Sequence, residues 1–234
     1  MSTDHAAPAH SALRHHFDTL DQQRDASLLG MWAFLVTEVL FFGGLFLAYT
    51  IYRMSYPAAF AAGSHHLNIV LGCINTAVLI GSSLTMALAV FAAQQGNGRN
   101  VARFLLATMF LGTMFLGIKA IEWTHDYEES LIPGLAFDAK IWAHEGMPPL
   151  EAKQFAGEGE LFFVLYFSMT GLHGAHMIIG MAVMAFYLRP AWHGRYSRDY
   201  YTPIEGLGLY WHFVDVVWIF LFPLFYLVGT RGSH

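Results

Sequence analysis

The chain has 234 residues, of which 56% are hydrophobic, 16% aromatic and 12% charged, with a formal charge of −5. Soluble domains carry about a quarter of their residues as charges, so the composition excludes a soluble domain and a basic nucleic-acid binder and points to a membrane. The single Cys73 has no partner for a disulfide or a CxxC pair, so no covalent haem, iron–sulfur cluster or structural zinc is expected.

Residues 1–27 hold Asp4, Arg14, Asp18, Asp21, Arg24 and Asp25, with no short apolar run or small-residue cleavage site, unlike a secretory signal. Leu13, Phe17 and Leu20 stand at helical spacing, which fits either a helix along the inner interface or a tail. Five apolar blocks follow, at about 28–52, 67–93, 102–123, 161–188 and 207–229. Each is long enough to cross a hydrocarbon core, which takes about 20 helical residues. The expectation is an all-α fold: one polytopic bundle of five transmembrane helices, its first span an uncleaved anchor, with a short tail at 230–234.

Span one places Glu38 near the bilayer midplane, where an ionised carboxylate is costly and faces protein, water or a partner. It is either a proton-relay carboxyl or a group satisfied by a neighbouring helix. Gly44 and Ala48 form a small-xxx-small pair of the kind that lets helices approach closely in lipid. Span two carries Asn68, Gly72, Asn75, Ser82 and Ser83 on one stripe, read as a helix–helix contact rather than a channel wall. Span three pairs Gly112 with Thr108, and its Lys119 and Glu122 are expected to snorkel to the interface as anchors.

The segment 125–160 is expected as an acidic outer loop, with eight carboxylates against two lysines from Asp126 to Glu160. Such charge would draw a basic soluble protein, or simply follow from the scarcity of basic residues on the outer side. Span four holds the small pairs Thr170 with Gly174 and Gly171 with Ala175, and it sets His173 and His176 three apart at the depth of Glu38. A Glu–His cluster between spans one and four is the expectation. A bis-histidine haem needs ligands from opposite sides of the macrocycle, whereas an i, i+3 pair points one way. Span five contains His212 and Asp215 within YWHFVDVVW, a polar pair near the inner end that fits a structural or partner contact, and Pro223, a source of a kink.

Arg14, Arg24, Arg99, Arg103, Arg189, Arg195 and Arg198 fall on the amino-terminal side. Arg53, Lys140, Lys153 and Arg231, with Lys119 near that end, fall on the other. Because basic residues favour the cytoplasmic side, the amino terminus is expected inside and the carboxyl terminus outside.

Several motifs together resemble subunit III of the haem-copper oxidases, cytochrome c oxidase in particular. YWHFVDVVW, Tyr210 to Trp218, is similar to the hallmark of the family's last helix, approached through Ile204-Glu205-Gly206. GMWAFLVTEVLFF, Gly30 to Phe42, is similar to the helix with the family's buried glutamate, which falls on Glu38. FLGIKAIEW, Phe115 to Trp123, and TGLHGAHMIIG, Thr170 to Gly180, follow the family pattern as well. Longer members have seven spans, and this chain begins at what would be their third, which suggests the five-span form.

The resemblance implies a non-catalytic subunit of a proton-pumping terminal oxidase in a bacterial cytoplasmic membrane. It has no redox centre or metal of its own. Haems and copper are expected on companion subunits: subunit I is catalytic, and subunit II receives electrons from cytochrome c. It also implies bound phospholipid, at a site more open than in the long form or completed by another subunit. Glu38, with His173 and His176, would support proton uptake, and His212 and Asp215 would be structural or partner contacts. Subunit III of a quinol oxidase and a homologue linked to nitric oxide reductase are the alternatives within the superfamily. A stand-alone haem-binding or transport bundle is the alternative outside it.

Overall fold

The computed structural model describes residues 16–142, 147–198 and 200–229. Leu13, Arg14, Arg231 and the expected tail at 230–234 lie outside the described residues. Among the described residues there are six α-helices: α1 Leu20–Ser55, α2 Pro57–His66, α3 Ile69–Gln94, α4 Gly98–Glu128, α5 Pro149–Trp192 and α6 Thr202–Tyr226. Five of them, all but α2, are long and apolar enough to cross a membrane. Between α4 and α5, two-residue strands β1 Leu131–Ile132 and β2 Ala136–Phe137 pair antiparallel, followed by a 3-10 turn at Ala139–Trp142.

The helix boundaries follow from local chemistry. Thr19 caps α1, its hydroxyl accepting from the Gln22 amide at 3.1 Å. The Asn68 side chain caps α3 by accepting from Val70 and Leu71 amides, and Asn97 caps α4 through the Asn100 amide; these are the side chains that best satisfy the orphan donors of a helix start. Gly96, at φ 72, takes the left-handed conformation that turns α3 back into α4. Pro57 and Pro149 open α2 and α5 in the first turn, where a missing donor costs nothing.

Three features differ from the sequence reading. Residues 20–27, expected in the polar amino-terminal segment, are the first turns of α1. The loop expected at 125–160 is helical at both ends, because α4 runs on to Glu128 and α5 starts at Pro149. The strand β1 and the 3-10 turn between them fold back on α5. Trp142, 3% exposed, lies against Phe155 and Phe163. The third difference is α2, a short helix lodged beside α5, where Phe60 meets Phe162.

Packing is uneven. Half of the most apolar stretch of α6 is buried, against 11% for α1. Helix α6 is therefore the centre of the bundle, in contact with α1, α3 and α5, while α1 lies along the outside against α6 and α5. The α6 helix runs through Pro223 to Tyr226. Beyond that proline the Leu224 carbonyl, which no longer has a helical donor, accepts from the Tyr49 hydroxyl on α1.

The small residues divide along the same lines. Gly112 and Gly180 both lie under the Trp211 indole, and Gly72 lies under Phe222 and Tyr226; a Cβ at either Gly112 or Gly180 would come within 3.1 Å of that ring system. Gly44, in contrast, has nothing within 4 Å, so the Gly44–Ala48 pair is not a contact inside the bundle. It lies on the exposed side of α1, the helix with the smallest buried share.

Candidate functional site: buried polar clusters between the helices

The polar stripe of α3 is read by the aromatic motif of α6. Trp211 Nε1 donates to Ser82 Oγ at 3.2 Å, His212 Nδ1 meets Ser83 Oγ at 2.9 Å, and Trp218 Nε1 donates to Thr76 Oγ1 at 3.0 Å. The two tryptophans are seven residues apart, two helical turns, so antiparallel α6 presents both to one face of α3. Thr85 and Thr108 continue the contact to α4 at 2.8 Å. Side chains that hydrocarbon would leave unsatisfied thus fix the order and register of three helices.

Glu38 and His176 form a second contact, joining α1 to α5. His176 Nε2 stands 3.0 Å from Glu38 Oε2, and His176 Nδ1 lies 2.7 Å from the Leu172 carbonyl. A carbonyl only accepts, so Nδ1 carries a proton. The Nε2–Oε2 contact then holds one further proton, either on an imidazolium facing a carboxylate or on a carboxylic acid facing neutral imidazole. Phe42 packs edge-on against the imidazole at 5.2 Å, and the Tyr210 hydroxyl donates to the His176 carbonyl at 2.9 Å. The pair is four-fifths buried, at 18% and 16% side-chain exposure.

His173 does not join it. Its ring packs against Phe115 and Trp218, with centroids 5.5 and 5.1 Å away, and neither nitrogen has a hydrogen-bond partner among the described residues. The i, i+3 spacing puts His173 and His176 on neighbouring faces of α5, one toward α4 and α6 and the other toward α1. The cluster expected from sequence is therefore a pair.

His212 and Asp215 are also looser than expected. Nδ1 and Oδ2 are 3.7 Å apart, beyond hydrogen-bonding distance, because Nδ1 is occupied by Ser83. They also lie deeper than the inner end of the span. Ser83, beside His212, is about 17 Å along α3 from Gln94 at 1.5 Å per residue.

The largest departure concerns Lys119 and Glu122, expected as interfacial anchors. Their side chains are 7% and 5% exposed. Lys119 Nζ donates to Glu122 Oε2 at 2.7 Å, to Tyr166 Oη at 2.9 Å and to Tyr226 Oη at 2.6 Å, while the Tyr226 hydroxyl donates to Glu122 Oε1 at 2.6 Å. The ammonium also lies over the rings of Tyr166, Trp218 and Tyr226. Snorkelling fails because α4 continues for more than two turns past Lys119 and two tyrosines close over it. The signal available in sequence was an i, i+3 Lys–Glu pair on an apolar helix with phenols on two others.

On the amino-terminal side, Arg24 Nη2 meets Glu205 Oε1 at 3.3 Å and stacks over Tyr201. This ties the start of α1 to the acidic approach of α6. Among the described residues, no group of three or more His, Cys, Asp or Glu is placed to hold a metal ion.

Fold and site together define a five-span integral membrane protein whose ionisable groups join its own helices in buried pairs. The sequence profile of cytochrome c oxidase subunit III matches residues 14–131 and 150–230, and the chain belongs to that family, the third subunits of haem-copper oxidases. It is 32% identical over 207 residues to cytochrome c oxidase subunit 3 of Corynebacterium diphtheriae, covering 86% of this chain and 87% of the relative. Cytochrome bo(3) ubiquinol oxidase subunit 3 of Pseudomonas aeruginosa is 26% identical over 97% of this chain and 96% of its own length. The haem-copper oxidase subunit I+III of Aeropyrum pernix is 30% identical over 88% of this chain, which spans 23% of that longer protein.

Proposed function

We propose that the chain is the accessory, non-catalytic third subunit of a proton-pumping terminal oxidase in a bacterial cytoplasmic membrane. It lies beside a catalytic subunit I that holds the haems and copper, with a subunit II that takes electrons from cytochrome c and phospholipid at its surface. The observation that carries this reading is the family match, which extends over all five spans. The Aeropyrum pernix relative, named as subunits I and III in one chain, supports subunit I as the immediate neighbour.

In this reading Glu38 and His176 supply a proton-holding group that sustains proton uptake by the catalytic subunit. His173 is a packed core histidine that supports the neighbouring face of α5, against α4 and α6. The orientation with the amino terminus inside is supported by the burial of Lys119. With that lysine inside the bundle, seven arginines on the amino-terminal side face four basic residues on the other.

A second reading, subunit III of a quinol oxidase, is favoured by the Pseudomonas aeruginosa relative, which is matched over nearly its whole length. Purifying the tagged chain from membranes in mild detergent tests both, with mass spectrometry of its partners and a visible spectrum of the chain alone. Co-purifying subunits I and II and a chain without a Soret band are expected. A stoichiometric Soret band on the isolated chain contradicts the accessory role, and the type of subunit II separates the cytochrome c from the quinol reading.

A further inference from the structure

Asp215 on α6 has a side chain only 7% exposed, and neither of its carboxylate oxygens has a hydrogen-bond partner among the described residues. It opens into a groove of about 460 Å³ between α3 and α6, walled by Ser83, Leu84, His212 and Ile219. Ile80, Leu84 and Ile219 on the rim are exposed on the outer face of the bundle. A carboxylate is an acceptor with room for several donors, and one left unsatisfied at a lipid-facing wall is costly.

The depth of the groove narrows what can satisfy it. Ser83 lies about 17 Å along α3 from one end and about 21 Å from the other. Half the hydrocarbon thickness is about 15 Å, so a lipid headgroup does not reach the site, and an acyl chain brings no donor. A second copy of this chain is poorly suited as well. The exposed hydroxyls of Thr37, Thr50 and Thr113 already donate within their own helices, to Phe34, Phe46 and Met109 carbonyls.

We propose that this groove is the docking surface for a transmembrane helix of a companion oxidase subunit. That helix presents a hydrogen-bond donor at mid-span to Asp215, and aliphatic side chains to Leu84, Ile80 and Ile219. The inference rests on the reading of the chain as an oxidase subunit and adds the face by which it binds. Ser83 occupies His212 Nδ1, which leaves both Asp215 oxygens without a donor among the described residues. Interhelical hydrogen bonds of this kind are modest individually, so the aliphatic rim supplies area and Asp215 supplies register.

The test uses the whole complex in native membranes, with a photo-crosslinking residue at Leu84 and, as a control, at Phe186 on the exposed side of α5. Leu84 is expected to crosslink a companion subunit and Phe186 only lipid. Asp215→Leu is expected to lower recovery of the chain with its companions by about three- to tenfold without lowering the thermal stability of the isolated chain. Asp215→Asn, which keeps an acceptor, is expected to restore most of that recovery. Adducts of Leu84 with lipid alone or with a second copy overturn the proposal, as does full recovery with Asp215→Leu, while the chain still co-purifies with an oxidase. Absence of the chain from any oxidase complex overturns the functional reading as well.

Discussion

Glu122 and Asp215 are both buried carboxylates inside membrane-spanning helices, and their surroundings are opposite. Glu122 receives Lys119 on one oxygen and Tyr226 on the other, and the same lysine also reaches Tyr166, so α4, α5 and α6 are joined at one point. Asp215 receives nothing among the described residues and lines a groove on the outer side of the bundle. The first site is complete within the chain. In the docking proposed above, the second is completed by a helix of a companion subunit. The difference separates what holds this subunit together from what it offers to others.

Lys119 is the residue on which the closed site depends most. Lys119→Met leaves the Glu122 carboxylate buried with Tyr226 alone, and removing one member of a buried pair costs about 3–5 kcal/mol. Thermal unfolding of the purified chain in detergent, followed by helical circular dichroism, is expected to show a large loss of stability. Lys119→Met with Glu122→Leu removes both charges and is expected to recover most of it, since replacing a whole buried pair by apolar groups is often close to neutral. If the single and double variants are equally unstable, packing rather than charge compensation governs the site.

A smaller effect is expected at the α3–α6 seam. Ser83→Ala removes the partner of His212 Nδ1 and should cost about 1 kcal/mol or less in the same unfolding measurement. It also frees the imidazole to close the 3.7 Å gap to Asp215. Crosslinking from Leu84 to a companion subunit should therefore fall in this variant, which sharpens the distinction between internal and external polar contacts.

The five spans were legible because about 20 apolar residues in a row have few other uses. Their ends were less so. Hydropathy marks where hydrocarbon ends, whereas helices end where caps and prolines place them, at Thr19, Asn68, Asn97 and Pro149. Helix α2 went unseen because ten residues with two histidines and a glycine carry no membrane signal, and tertiary contact with α5 decides their conformation.

Residue partnerships were harder still. The helical period places His173 and His176 at one depth, but a step of three residues turns them by about 300°, or 60° the other way, which is enough to send them to different neighbours. Lys119 was misplaced for a related reason: its depth within a helix is readable, but the two tyrosines that cover it come from α5 and α6.

We propose that the chain serves an oxidase through the Glu38–His176 pair between α1 and α5. Glu38→Gln keeps the size and a hydrogen bond to His176 while removing the ionisable group. Oxygen consumption by the purified complex, followed over repeated turnovers against the parent, tests the claim most directly. Assembly largely retained, with activity that starts near the parental rate and declines faster, is the predicted result. A time course that overlays the parent would contradict it.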